Sequence, residues 1–243
     1  MTDKCLIIGA SHAAAQLVLS LRQEGWQGEI AVISEEEALP YHRPPLSKDF
    51  LSGDKTLDDL LIRPAQAYAD ADIRFALGTR ATRIAPEEKL VYTENGDAYD
   101  YSKLVIATGA KVRRLPVPGA DLPGIHYLRN FADVEAIQAR VAAGKRAVII
   151  GGGYIGLETA ASLTKKGMSV TVIEAMPRIL QRVTAPVMSE FYARVHREEG
   201  VTIIEGEAVS AIGEEGGVLT VNTAEGSAIE AEIVIVGIGV EPC

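Results

Sequence analysis

Apolar residues form short unbroken runs at two corresponding places in the chain. Cys5-Leu-Ile-Ile8 and Ala147-Val-Ile-Ile150 each lead into small residues and then into an apolar stretch that reads as a helix. Runs without polar alternation mark strands buried on both faces, as in a parallel sheet. After each predicted helix comes another such run, Glu29-Ile-Ala-Val-Ile-Ser34 in the first half and Met168-Ser-Val-Thr-Val-Ile173 in the second. Shorter strands follow at 73–76, 80–84 and 89–92, with an Asn95-Gly96 hairpin turn and a closing strand at 104–107. Residues 201–204, 208–212 and 218–221, a turn near Gly226 and a strand at 233–236 repeat the plan. The pattern is a duplication of whole domains: a β-α-β unit, a β-meander and a closing strand. Between the halves, Arg114-Leu-Pro-Val-Pro-Gly-Ala-Asp-Leu-Pro-Gly124 interrupts regular structure, which sets domains at 1–113 and 114–243. A short strand at 126–129 and an amphipathic helix over 131–142 are predicted beyond it.

The two strand-to-helix turns carry the chemistry. The first is Gly9-Ala-Ser11-His-Ala-Ala14 and the second Gly151-Gly-Gly153-Tyr-Ile-Gly156. Small residues let the backbone approach a pyrophosphate, and the helix N-terminus offers free N–H groups with a partial positive charge. Each turn is followed by a strand that runs into an acid. Glu35 lies 26 positions after Gly9, and Glu174 lies 23 after Gly151. Both fit the spacing of roughly 20 residues expected of a carboxylate that accepts ribose hydroxyls. Ser11 and Ala14 replace two of the three glycines in the first turn, and both are small. The pattern predicts an α/β chain of two tandem Rossmann-like domains that holds two dinucleotides.

Composition narrows the classes. With 243 residues, two domains are expected. A net charge of −9 and the lack of a basic stripe exclude nucleic acid as a partner. No apolar run approaches the length of a membrane span, and Met1-Thr-Asp-Lys leads straight into a strand, so neither a signal peptide nor a membrane association is expected. Cys5 and Cys243 form no C-x-x-C, which favours a reducing, cytoplasmic setting and places Cys5 in the core of its strand. No metal site is read from the sequence.

Pro40-Tyr-His-Arg43-Pro44-Pro45-Leu-Ser-Lys48 reads as a stiff, extended segment with two cations just after the first acid. Joined to the two turns, it resembles the signature of the FAD-dependent NADH:ferredoxin reductases, flavoproteins that serve bacterial P450 and aromatic-ring dioxygenase systems. The resemblance runs through Lys103-Leu-Val-Ile-Ala-Thr-Gly109, Val148-Ile-Ile-Gly-Gly-Gly-Tyr-Ile-Gly-Leu-Glu158, Arg182-Val-Thr-Ala-Pro186 and Val236-Gly-Ile-Gly-Val-Glu-Pro242. It implies that Gly9, Ser11, Ala13 and Ala14 cradle the FAD pyrophosphate, with Glu35 on its ribose and Ala81 meeting the adenine through its backbone. Arg43, Lys48 and Arg129 would serve the flavin end. Gly151, Gly153 and Gly156 would bind the NADH pyrophosphate, with Glu174 on the ribose, Glu158 beside the nicotinamide, Gly237 by its ribose and Arg182 also at this cofactor. Glu158 has a second explanation as a carboxylate favoured near a helix N-terminus. Arg182 can equally be a surface charge, and His12 a polar residue at a helix start.

The resemblance implies hydride transfer from NADH to FAD, then single electrons to a ferredoxin-type iron–sulfur protein, with no side-chain acid, base or nucleophile. Residues 36–53 hold no cysteine, so the thiol relays of related disulfide reductases and peroxidases are not expected. Family members continue into a further FAD-binding strand and a C-terminal interface domain, which are expected to be missing here. Two other readings compete: an inactive nucleotide-binding fragment of such a reductase, and a hydrolase whose nucleophile elbow would be Gly9-Ala-Ser11-His-Ala13, although elbows normally follow several earlier strands. Docking of an acidic ferredoxin calls for a basic patch, for which Arg63, Lys111, Arg113 and Arg114 are available.

Overall fold

A computed structural model describes residues 3–243, and the chain packs as two compact units. One takes the chain up to His42, Thr56–Ala110 and Pro242–Cys243; the other takes Arg43–Lys55 and Lys111–Glu241. The second begins at Lys111, three residues before the boundary expected from the prolines, and it also claims a segment, Arg43–Lys55, assigned by sequence to the first.

In the first unit β1 (Lys4–Ile8), α1 (His12–Gln23) and β2 (Glu29–Ile33) form the expected β-α-β start. A helical stretch follows: a 3-10 turn at Pro44–Ser47, α2 (Asp49–Ser52), α3 (Leu57–Leu60) and α4 (Ala65–Asp70). The segment expected to be extended is therefore curled. Its two prolines explain this, because a ring that fixes φ near −65° suits the first positions of a helical turn, where the missing N–H costs nothing. β3 (Ile73–Ala76), the antiparallel β4 (Ala81–Ala85), β5 (Leu90–Thr93) and β6 (Ala98–Asp100), and then β7 (Lys103–Ile106) complete the unit. Its parallel sheet has the order β3-β2-β1-β7. Ala14, Ala15 and Val18 of α1 pack with Ile7, Ile30, Val32, Tyr68 and Ile73, so small helix residues bring the helix close to the sheet.

After β8 (Ala110–Val112), the second unit runs through β9 (Ile125–Tyr127), α5 (Phe131–Gln138), β10 (Arg146–Ile150), α6 (Tyr154–Lys165), β11 (Ser169–Glu174), α7 (Pro186–Glu198) and β12 (Thr202–Glu205). The meander is β13 (Val209–Glu215), β14 (Val218–Thr223) and β15 (Ala228–Ala231), followed by β16 (Ile233–Val236) and β17 (Val240–Pro242). α5 ends four residues earlier than its periodicity suggested. Its exit tightens into Arg140 N–H to Ile137 and Val141 N–H to Gln138 bonds, and Gly144 then turns away at φ +79°. The parallel sheet has the order β12-β11-β10-β16-β9. Ala147, Val148, Ile149 and Ile150 are each at most 5% exposed, so β10 is buried on both faces. Each large side chain among them contributes roughly 1.5–3 kcal/mol by leaving water.

The order reverses in both sheets beside the strand that enters the glycine turn, between β1 and β7 and between β10 and β16. Crevices at the carboxyl ends of such strands are where open α/β sheets bind ligands. Among the described residues no helix is long and apolar enough to cross a membrane.

Cys5 is 4% exposed and its thiol is pushed up by burial, whereas Cys243 is exposed. An aromatic disulfide reagent should titrate one thiol rapidly in the native protein and the second only in denaturant. Simultaneous reaction of both would show that β1 is not a core strand.

Candidate functional site

The turns close by the same bonds in both units. The N–H of Gly9 donates to Ile33 and that of Gly151 to Ile173, both at 2.8 Å. Both glycines take the left-handed region, at φ +104° and +112°. A Cβ at Gly9 would lie 2.4 Å from the Ala107 carbonyl oxygen, and one at Gly151 would lie 2.4 Å from that of Gly237. The helices that follow carry no side-chain cap and no acid in the first turn, in contrast to the capping boxes of Thr56 and Asn130 on α3 and α5. Their first N–H groups are therefore left for an anion.

In the second unit the acid is folded onto its turn. Glu174 accepts the N–H of Gly152 on one oxygen and that of Met176 on the other, each at 2.7 Å. Both oxygens are aimed by the backbone and each retains lone-pair capacity for a hydroxyl donor. A cavity of about 850 Å³ opens here, lined by Gly151, Gly153, Glu174, Arg182 and Gly237 together with Arg113 and Arg114. This is within the usual volume of a cofactor site. A Cβ at Gly153 would meet nothing within 4 Å, whereas one at Gly156 would lie 2.1 Å from the Gly151 carbonyl oxygen. Gly153 thus faces open space, and Gly156 serves the packing of α6 on its turn. Arg182 has no hydrogen-bond or ionic partner among the described residues and lies at the cavity wall. These features fit a dinucleotide.

The first turn is similar, with differences. Ala13 is exposed, but Ala14 is 1% exposed and packs in the core, so it serves the close approach of α1 instead of lining the turn. Ser11 stands at the helix start with its Oγ 3.5 Å from His12 Nδ1, and His12 Nε2 lies 3.3 Å from His42 Nδ1. Glu35 does not fold onto its turn. It is exposed and pairs with Arg80 at 3.0 Å, which brings it beside Ala81 at the start of β4. The glycine turn, the uncapped α1 and the Glu35–Ala81 edge still fit a second dinucleotide, with a carboxylate that must be shared with Arg80.

The cations assigned to the flavin end fall in the second unit. Arg43 donates to the Arg129 carbonyl at 2.9 Å. Lys48 and Glu158, expected at the two sides of a flavin–nicotinamide contact, meet as an ion pair of 2.6 Å. Ser47 donates to the same Glu158 oxygen at 2.6 Å, and Ser162 on α6 donates to the Ser47 carbonyl at 2.8 Å. As a half-exposed pair, Lys48–Glu158 is worth at most about 1 kcal/mol. Its consequence is orientation: Glu158 is committed to Lys48 and Ser47, and neither Glu158 nor Gly156 lines the cavity.

Sequence reasoning missed Arg80, Ser47 and Ser162, whose roles depend on partners 45 to 115 positions away and leave no local pattern. The basic patch proposed from Arg63, Lys111, Arg113 and Arg114 is largely engaged. Lys111 pairs with Glu241 at 3.2 Å, Arg113 donates to Val240, Arg114 lies over the Tyr127 ring at 4.3 Å, and Arg63 donates to the neighbouring Ile62 carbonyl.

Two sheets that each end in a glycine turn and an acid define a protein built on paired dinucleotide-binding folds. Residues 3–243 match the family described as pyridine nucleotide-disulphide oxidoreductase, and the chain belongs to that family. It is 42% identical over 246 residues to a ferredoxin–NAD(P)(+) reductase of Sphingomonas sp., covering 100% of this chain and 59% of that protein. It is 39% identical to putidaredoxin reductase of Pseudomonas putida, over 99% of this chain and 58% of that one. Among solved structures, it is similar to the reductase in a covalent putidaredoxin reductase–putidaredoxin complex, with a TM-score of 0.92 and 38% identity over 98% of this chain and 58% of the other. The ferredoxin reductase for the CYP199A2 system of Rhodopseudomonas palustris gives a TM-score of 0.93 at 38% identity, over 98% and 59%. The chain thus spans under two thirds of the length of these relatives.

The two glycines of the second turn should separate in mutants. Gly153→Ala is expected to keep the native melting temperature and lose NADH affinity, because its methyl enters open space at the turn. Gly156→Ala should cost about 1–3 kcal/mol or more in stability through overpacking. Thermal denaturation with NADH titration checks both; a destabilised Gly153→Ala would contradict this division.

Proposed function

We propose that this chain is the two-nucleotide part of an FAD-dependent NADH:ferredoxin reductase. The observation that carries the reading is the cavity of the second unit, where Glu174, held by two backbone N–H groups, faces a glycine turn and an uncapped helix. Bound FAD would accept a hydride from NADH and release electrons singly, chemistry that belongs to the cofactors while protein groups position them.

The residues then divide the work. Gly9, Ser11 and Ala13 hold the FAD pyrophosphate, with Ala14 keeping α1 close beneath it. Glu35 takes the ribose and Ala81 the adenine edge, while Arg43, Lys48 and Arg129 serve the flavin end. Gly151 and Gly153 hold the pyrophosphate of NADH, Gly156 supports their turn, Glu174 takes the ribose, and Gly237 and Arg182 complete the wall. Glu158 holds the Lys48 ammonium in place beside the nicotinamide end. The acceptor is a ferredoxin-type protein, in keeping with the relatives whose names include ferredoxin and putidaredoxin reductases. Segment 36–53 has no cysteine, so no thiol there stands between flavin and acceptor. The cytoplasm is the compartment this reading assigns, and both cysteines are free.

The test is to purify the chain, add FAD, and record the visible spectrum and NADH-driven reduction of a ferredoxin. Flavin bands bleached by NADH support the reading. A protein that binds NADH and takes up no flavin would leave the nucleotide-binding fragment instead.

NADH should bind in preference to NADPH. A 2′-phosphate would face the Glu174 carboxylate, a repulsion of at least about 1 kcal/mol at roughly 4 Å in a partly screened site. Arg178, four residues on, offsets only part of this, because its guanidinium donors are engaged by the Ser189 hydroxyl at 2.5 Å and the Gln181 carbonyl at 3.2 Å. Dissociation constants differing by about fivefold or more are expected. Equal constants for the two cofactors would remove Glu174 from the ribose.

A further inference from the structure

Glu174 is aimed by the chain that follows it, and that chain is itself held from below. Residues 175–180 fold back over the glycine turn: the Leu180 N–H donates to the Gly152 carbonyl at 2.9 Å, and Ile179 is fully buried. Its methyl lies so close that a Cβ at Gly152 would be 2.7 Å from it. Leu180 adopts φ +54°, a left-handed conformation that an L side chain holds only where its surroundings enforce it.

The enforcement comes from the end of β12 and from α7. Glu205 accepts the Ile179 N–H at 2.9 Å on one carboxylate oxygen and the Arg197 guanidinium at 3.0 Å on the other. The Gly206 N–H donates to the Met176 carbonyl at 2.9 Å, and Ser189 Oγ donates to that of Ile179 at 2.6 Å. Glu174 and Glu205 are register partners on adjacent parallel strands, so their side chains leave the same face. Two like charges so placed repel each other. Here each is satisfied by different donors of one short loop. Glu174 takes Met176 at its start and Glu205 takes Ile179 near its end.

We propose that Glu205, buttressed by Arg197, is the positioning residue that sets dinucleotide specificity, acting through the loop that orients Glu174. Glu205 does not itself line the cavity. Its influence passes through Ile179 N–H to Leu180, from there to the Gly152 carbonyl, and across that residue to the Gly152 N–H that fixes one Glu174 oxygen. The inference rests on the assignment of NADH to the second unit.

Calorimetric titration of the 243-residue chain with NADH and NADPH tests it. Glu205→Ala should weaken NADH binding about tenfold, the scale of one charge-assisted hydrogen bond lost, and leave NADPH within about twofold, so that the preference collapses. Glu205→Gln, which retains an acceptor for Ile179, should keep most of the preference. Arg197→Met, on a half-exposed side chain, provides the same readout with an intermediate loss should Glu205→Ala fail to fold. A preference unchanged in these variants, or NADH and NADPH weakened by one common factor, overturns the proposal and leaves Glu205 as general scaffolding. Failure of the unsubstituted chain to bind NADH would overturn the nucleotide assignment and the proposal with it; normal wild-type binding with unaffected variants overturns the proposal alone.

Discussion

The structure depends on a close approach of backbone to backbone at the ends of two strands. Where β1 and β10 finish, the next parallel strand of the sheet exits so near that only a glycine fits, with 2.4 Å between the missing Cβ and a carbonyl oxygen in each unit. The return bonds match as well, Ala107 N–H to Ile8 and Gly237 N–H to Ile150, both at 2.8 Å. With a side chain at Gly9 or Gly151 the strands would separate, the helix would start elsewhere, and its free N–H groups would point away from the crevice. The anion site is thus a consequence of how tightly the sheet closes, and it arises twice because the closure is duplicated.

Beyond that shared frame the units diverge in how they treat their acid. Glu174 is drawn onto its turn by two peptide N–H groups and kept there by a buried loop, whereas Glu35 extends to Arg80 on the surface. A carboxylate held by backbone would already be oriented for the ribose this account assigns to it, so less freedom would be lost on binding. One held by a flexible arginine must exchange partners first. The same contrast separates Arg178, committed to Ser189 and the Gln181 carbonyl, from Arg182, which stands at the cavity wall without a partner among the described residues.

Most of the fold was legible because it rests on local signals: unbroken apolar runs for β1 and β10, small residues for the turns, an Asn-Gly pair for the hairpin between β5 and β6. What escaped depended on distant partners. Pro44 and Pro45 read as stiffness but yield a 3-10 turn, since the ring angle that suits an extended chain also suits a helix start. No spacing rule joins Lys48 to Glu158, 110 positions away, or Glu205 to Ile179 across two elements. Glycine was recognised in the second turn as leaving room for a pyrophosphate or for helix–strand contact, but not which glycine serves which. Gly153 leaves room for a ligand and Gly156 leaves room for the protein's own backbone, a difference visible only when a Cβ is placed at each.

The assignment of one nucleotide to each turn is tested most directly by amide hydrogen exchange of the chain with and without NADH. Local opening of the turns and their loops sets the unliganded rates, so a bound dinucleotide slows exchange where it docks. The account predicts protection at 151–157, 174–183 and 236–240, with little change at 9–15. Protection confined to 9–15, or shared equally by both turns, would contradict it.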